Sequence, residues 1–301
     1  LELLRQRDGF RWDMVDLRTQ WSATQYNEQL IAIGYQPAWM NGLDDVIHAV
    51  DIQKAEWRAV HDALLERILS AVNQGRTTVL TMQDIVVEDD PKLPIITIRA
   101  VDAATFTGLY NLKNVRYIEP LGYWPLLGDV DRSTSGCGGS STPVNNADLS
   151  TITPNARLPW NFNLHGIPGA WANGQGQGIT IGVIDAGISN AQPLIGSDFG
   201  NGDSNVGRGL STGYTFGELA YSSCTHGTSM SGLAAGPRNN VGATTGVGYK
   251  SGLHFIRGCE DVVLNLSSEL TGVKNALVQM GDHPAVRVVS MSIGTPFSSS
   301  V

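Results

Sequence analysis

Between residues 43 and 123 the apolar positions switch repeatedly between helical and extended spacing. Leu43–Ile52 reads as a strand. Ala55–Val72 places Val60, Leu64, Ile68 and Val72 four residues apart, the spacing of one apolar face of an amphipathic helix. Thr78–Val87 and Pro94–Val101 are β-rich runs on either side of the turn-like Glu88-Asp89-Asp90-Pro91. Ala103–Leu112 predicts a second short helix, and Val115–Ile118 a closing strand. The order βαββαβ is that of a small ferredoxin-like α+β domain. Residues 1–40 scatter Trp12, Trp21 and Trp39 among polar side chains and yield no assignment.

From Gly128 to about Ala156 the chain is rich in Ser, Thr, Gly, Asn and Asp, the composition of a linker that proteases can reach. Beyond it strands and helices alternate. Ile179–Ile184 is a short buried strand and His226–Ala235 a helix of small residues. Gly252–Arg257 is a strand. Ser267–Met280 is a helix with Leu270, Val273, Leu277 and Met280 on one side and Gly281 as its stop, and Val286–Met291 is another strand. Alternation of this kind predicts an α/β fold, a doubly wound parallel sheet with its site at the carboxyl ends of the strands.

Composition narrows the class. Apolar residues make up 42% of the 301, enough for a substantial core, and charged residues only 16%, with 35 Gly. A net charge of −8 argues against nucleic acid as a partner, because phosphate binding needs clustered Lys and Arg. No apolar run approaches the roughly 18–20 residues of a membrane span. The opening Leu1-Glu2-Leu3-Leu4-Arg5 is neither a start Met nor a signal peptide, so an export signal is expected to have been removed or left out. Cys137, Cys224 and Cys259 fit no zinc spacing. Their odd number leaves one pair and one remainder, or a partner beyond the chain.

Two side chains carry candidate chemistry. Asp185 ends the run Ile179-Thr180-Ile181-Gly182-Val183-Ile184, the strand tip where α/β enzymes place reactive groups, although an Asp there also serves simply to start a turn. His226 opens His-Gly-Thr-Ser-Met-Ser-Gly-Leu-Ala-Ala-Gly, a helix whose small residues permit close packing. A lone His is more often structural. One that leads such a helix after a strand-tip Asp suits acid–base work better.

Val183-Ile184-Asp185-Ala186-Gly187 resembles the aspartate motif of the subtilisin-like serine protease family, and His226-Gly227-Thr228 through Gly232 resembles its histidine motif. Asn239-Asn240-Val241-Gly242 through Gly246-Val247 resembles the loop after the histidine helix. Val289-Ser290-Met291-Ser292-Ile293-Gly294 resembles the strand that lines the substrate cleft. The four occur in the family's order. The resemblance implies a serine endopeptidase precursor acting through an acyl-enzyme, with His226 as general base and Asp185 as its orienting partner. The family's serine and oxyanion Asn would follow beyond Val301. Ser229 imitates the start of the nucleophile motif, but it sits on the His226 helix with no Pro after it.

The resemblance further implies polypeptide substrates bound as an added strand, with Ser292, Ile293 and Gly294 on one side and the segment around Val263 on the other. It implies a disulfide between Cys224 and Cys259, with two buried thiols as the alternative. Calcium is a common ligand of the family, and Asn239, Asn240, Asp198 and Asp203 offer oxygens, but Leu194 stands where many relatives supply an Asp. Residues 43–123 resemble the family's inhibitory propeptide, so the chain's own propeptide is an expected intramolecular inhibitor, with cleavage at Leu127–Gly128 and secretion to follow. Two rivals stay open: a non-catalytic relative acting as a binding scaffold, and one piece of a nicked enzyme.

Overall fold

The six residues of β1 (Leu30–Tyr35) are all buried, which makes this strand the hydrophobic centre of its sheet. The computed structural model describes residues 12–25, 28–110, 112–122, 137 and 145–294. The chain divides into two compact units, Leu1–Leu126 with Asn265–Ser267 and Thr295–Val301, and Leu127–Leu264 with Ser268–Gly294.

In the first unit, α1 (Ala55–Asn73) follows β1, then come β2 (Val86–Asp89), β3 (Ile95–Arg99), α2 (Ala103–Leu109) and β4 (Val115–Pro120). The strands lie in the order β2-β3-β1-β4, every pairing antiparallel. The first strand is therefore not Leu43–Ile52, which forms a helical turn (Leu43–Val46) and a 3₁₀ turn (Ile47–Ala49). Gly42, at φ +64°, starts that turn, and Asp44 and Asp45 suit its amino end. The start of Thr78–Val87 is likewise not extended, because Thr81 and Asp84 form a reciprocal cap over the turn Met82–Ile85.

The face that α1 buries is Trp57, His61, Leu64, Ile68 and Val72. Val60 is only partly buried, and His61 takes the inner position in its place because each ring nitrogen meets a carboxylate: Nδ1 to Asp62 at 2.7 Å and Nε2 to Asp89 at 2.9 Å. These side chains close over Ile31, Ile33, Ile96, Ile98, Phe106 and Leu109 in one core. Each large apolar side chain buried there contributes about 1.5–3 kcal/mol. Gly34 lies opposite Tyr117, and a Cβ at this position would sit 2.2 Å from the tyrosine ring, so only Gly fits.

The second unit opens with a hairpin of β5 (Leu149–Ile152) and β6 (Ala156–Pro159). Its main sheet is fully parallel: β7 (Thr180–Asp185), β8 (Leu210–Tyr214), β9 (Gly252–Arg257) and β10 (Val286–Met291), in the order β10-β7-β9-β8. Alternation along paired strands builds two faces. Val183 and Phe255 pack with Ala235 of α3 (His226–Ala235). Ile184 and Ile256 pack with Ala276 and Met280 of α4 (Ser267–Asp282). Helix α4 runs through Gly281, and it buries Ala276 where Leu277 was expected, leaving Leu277 at 37% exposure. The far end of α3 is capped by Arg208, whose guanidinium donates to Ala235 O and Tyr249 O and lies over the Phe199 ring. A cation suits a helix carboxyl end.

Candidate functional site

Three adjacent parallel strands deliver their carboxyl ends to one place. Asp185 is the last residue of β7, paired with Arg257 at the end of β9, and Ile184 is paired with Met291 at the end of β10. The chain leaving β9 supplies residues 258–264, and the chain leaving β10 supplies Ser292, Ile293 and Gly294. This is the position at which open α/β sheets hold reactive groups.

His226 is the first residue of α3, and its Nδ1 lies 2.9 Å and 3.0 Å from the two carboxylate oxygens of Asp185. An ionised carboxylate only accepts, so this contact assigns the proton to Nδ1 and leaves Nε2 as the basic nitrogen. Asp185 is fully buried while the His226 side chain keeps 21% of its exposure, so the orienting group is shielded and the base reaches solvent. Asp185 Oδ1 also accepts the Ala186 N–H at 2.8 Å. Burial pushes the Asp185 carboxyl above its ordinary range, opposed by the hydrogen bonds from His226 and Ala186. Gly227 allows the approach of helix to strand: a Cβ there would lie 2.2 Å from Gly187 O and 3.1 Å from the Asp185 carboxylate.

Ser229 takes no part in this pair. It is exposed, and its hydroxyl donates to Thr225 O one turn back, at 3.1 Å.

The cysteines pair differently from expectation. Cys224 is bonded to Cys137, and Cys259 is a free, buried thiol. Cys259 lies beneath the end of β9, where burial and then the charges of Asp185, Glu269 and Asp261 push its thiol upward and keep it protonated. Cys137 Sγ, 3.5 Å from Glu260 O, instead pairs with Cys224, two residues before His226.

The two segments expected to flank a peptide are joined to each other. Val263 and Gly294 form a parallel bridge. Leu264 N–H donates to Gly294 O at 2.9 Å, and Gly294 N–H donates to Val262 O at 3.0 Å. These backbone groups satisfy one another.

Among the described residues no group of three or more His, Cys, Asp or Glu side chains could hold a metal ion. Two of the oxygens considered for calcium have partners within the chain. Asn239 Oδ1 accepts the Val241 and Ala243 N–H groups, and Asp203 faces Arg238 at 3.5 Å. No helix among the described residues is long and apolar enough to cross a membrane. Leu127 and Gly128, the expected cleavage site, lie outside the described residues. Sequence reading passed over Glu269, a fully buried carboxylate in the first turn of α4. A single Glu near a helix start reads as a solvated one.

Residues 176–301 match the family model described as "Subtilase family". No curated protein matches the chain. Among solved structures, the chain is similar to fervidolysin from Fervidobacterium pennivorans, described as a keratinolytic enzyme related to subtilisin. The identity is 18% and the TM-score 0.49, over 88% of this chain and 36% of that one. The chain thus spans 36% of the length of that structure.

Proposed function

We propose that this chain, which through residues 176–301 belongs to the subtilase family, is part of a secreted serine endopeptidase made as an inhibited precursor. The observation that carries the reading is the Asp185–His226 pair at the carboxyl end of β7, with a buried carboxylate on Nδ1 and a solvent-facing imidazole. A serine hydroxyl is a weak nucleophile until a base within hydrogen-bond reach removes its proton. His226 Nε2 is that base, and the serine comes from outside residues 1–301. As the hydroxyl oxygen bonds to the peptide carbonyl carbon, its proton passes to Nε2. Asp185 then stabilises the imidazolium through Nδ1–H. The same proton goes to the leaving amine as the C–N bond breaks, leaving an acyl-enzyme. Water repeats the sequence with His226 again as base and releases the carboxylate.

The substrate is a polypeptide, bound extended between Val262–Leu264 and Ser292–Gly294, where its main chain takes over the hydrogen bonds those walls now make to each other. The first unit serves as the inhibitor. Its βαββαβ order and the strand order β2-β3-β1-β4 support a ferredoxin-like propeptide. Self-cleavage falls at Leu127–Gly128. The test is expression of the full-length gene as wild type and His226→Ala. Wild type is expected to yield a mature protein starting within residues 123–140 and cutting unfolded polypeptides, and H226A an uncut, inert precursor. A mature start upstream of residue 115, or processing undiminished in H226A, would refute the proposal.

A further inference from the structure

The segment that leaves β9 for the substrate wall is held at successive points. Gly258 N–H donates to the main-chain oxygen of Asp185 at 3.0 Å, which ties the segment to the strand that carries the candidate catalytic carboxylate. Past Cys259, two consecutive amides meet Glu269, whose Oε1 accepts the N–H groups of Glu260 and Asp261, each at 3.4 Å. Asp261 Oδ1 then accepts the Val262 N–H at 2.6 Å. Only after these anchors does the wall itself begin, with Val262 O and Leu264 N–H on Gly294.

Glu269 has zero exposure. A buried carboxylate is costly to desolvate, and an apolar side chain of similar size would fill the same volume without that cost. What the carboxylate provides is an acceptor for two consecutive main-chain donors at the bend after β9. Its place in the first turn of α4 is also the favourable end of the helix for an anion. The bonds therefore join a rigid helix to the base of the wall.

We propose that Glu269 is a positioning residue for substrate: it fixes Glu260 and Asp261, and with them the height at which Val262–Leu264 meets an extended peptide. The inference rests on the peptidase reading and deepens it. Glu269 touches neither the reacting bond nor the Asp185–His226 pair through any hydrogen bond, so its removal should weaken extended binding and spare the chemistry.

The test uses processed full-length enzyme as wild type, Glu269→Ala and Glu269→Gln. Two substrates carry the same leaving group: a peptide with four residues before the cut, and an ester of a single acylated residue that does not reach the wall. E269A is expected to raise KM for the long peptide about tenfold, with kcat within about twofold and the ester's kcat/KM unchanged. E269Q is expected to restore the long-peptide KM to within about threefold, because one amide oxygen accepts both N–H groups. Equal losses on both substrates, an unchanged KM in E269A, or E269Q as impaired as E269A would each overturn the inference alone. A wild type inert toward both substrates overturns the peptidase reading and this inference with it. Should E269A fail to fold, amide exchange in wild type decides: protection at Glu260 and Asp261 supports the anchor, and exchange at the free-chain rate overturns it.

Discussion

Replacing Cys137 by Ser opens the only disulfide among the described residues and tests the cysteine arrangement directly. The bond joins residues 87 positions apart. For a loop of that length the chain-entropy treatment gives about 15 cal/mol/K, hence about 4–5 kcal/mol at 25 °C. For a unit of this size that corresponds to a fall in Tm of about 10 °C or more. The bond expected from sequence, Cys224 to Cys259, closes a shorter loop of about 35 residues, worth roughly 3–4 kcal/mol. The sharper distinction is chemical. With Cys137 and Cys224 paired, the native protein exposes no reactive thiol, because Cys259 is fully buried and its thiol is pushed well above its usual range. One thiol per chain should appear on denaturation. In Cys137→Ser the released Cys224 adds a second, and it sits on the approach to His226. Thiol titration with and without denaturant, paired with thermal unfolding, reads both quantities. A Tm unchanged in C137S, or a digest of the unreduced protein linking Cys224 to Cys259, would refute the arrangement.

Three further perturbations probe the fold and the pair. Gly227→Ala drives a methyl into Gly187 O and against Asp185, so it should cost about 1–3 kcal/mol or more in unfolding experiments and lower kcat in the full-length enzyme. Unchanged kcat would show that helix and strand can part without consequence. Asp185→Asn should lower kcat by roughly 10⁴-fold by favouring the wrong imidazole tautomer. It should also raise stability, since burial raises the Asp185 pKa and its ionised form therefore opposes folding. The penalty is present above the folded-state pKa and absent below the unfolded one, so the gain in Tm should appear at about pH 8 and vanish below about pH 4; a gain confined to acid pH contradicts the sign. Leu64→Ala, at a fully buried position of the first unit's core, should cost about 2–5 kcal/mol in denaturant unfolding, and a cost under about 1 kcal/mol would mean that the core is not packed as described.

The second unit was the more legible in sequence, for a physical reason. Strands β9 and β10 and helix α3 begin and end where their patterns do: β9 and β10 are short β-rich runs of strand length, and α3 is bounded by His226 and Gly236. The juxtaposition of Asp185 with His226 follows from the same logic, a strand tip and a helix start meeting at one sheet edge. In the first unit β1 was missed because a strand buried on both faces shows no alternation, and Leu30–Tyr35 follows a polar stretch that offers no turn signal. The helical turn at Leu43–Val46 depends on the backbone of Gly42, which residue spacing does not report. The partner of Cys224 was not decidable from one chain, since three cysteines allow three pairings. That Val263 bridges Gly294, and that Glu269 is buried beneath the wall, are facts of long-range packing to which local pattern is blind.

The central claim is that Asp185 and His226 activate a serine. The most direct measurement labels full-length protein with a fluorophosphonate, which reacts only with an activated hydroxyl, and locates the adduct by peptide mass spectrometry. The account predicts a single modified serine, distinct from Ser229, with labelling abolished in His226→Ala and restored in neither acid nor base. Labelling at Ser229, or labelling of H226A at the wild-type rate, would contradict it.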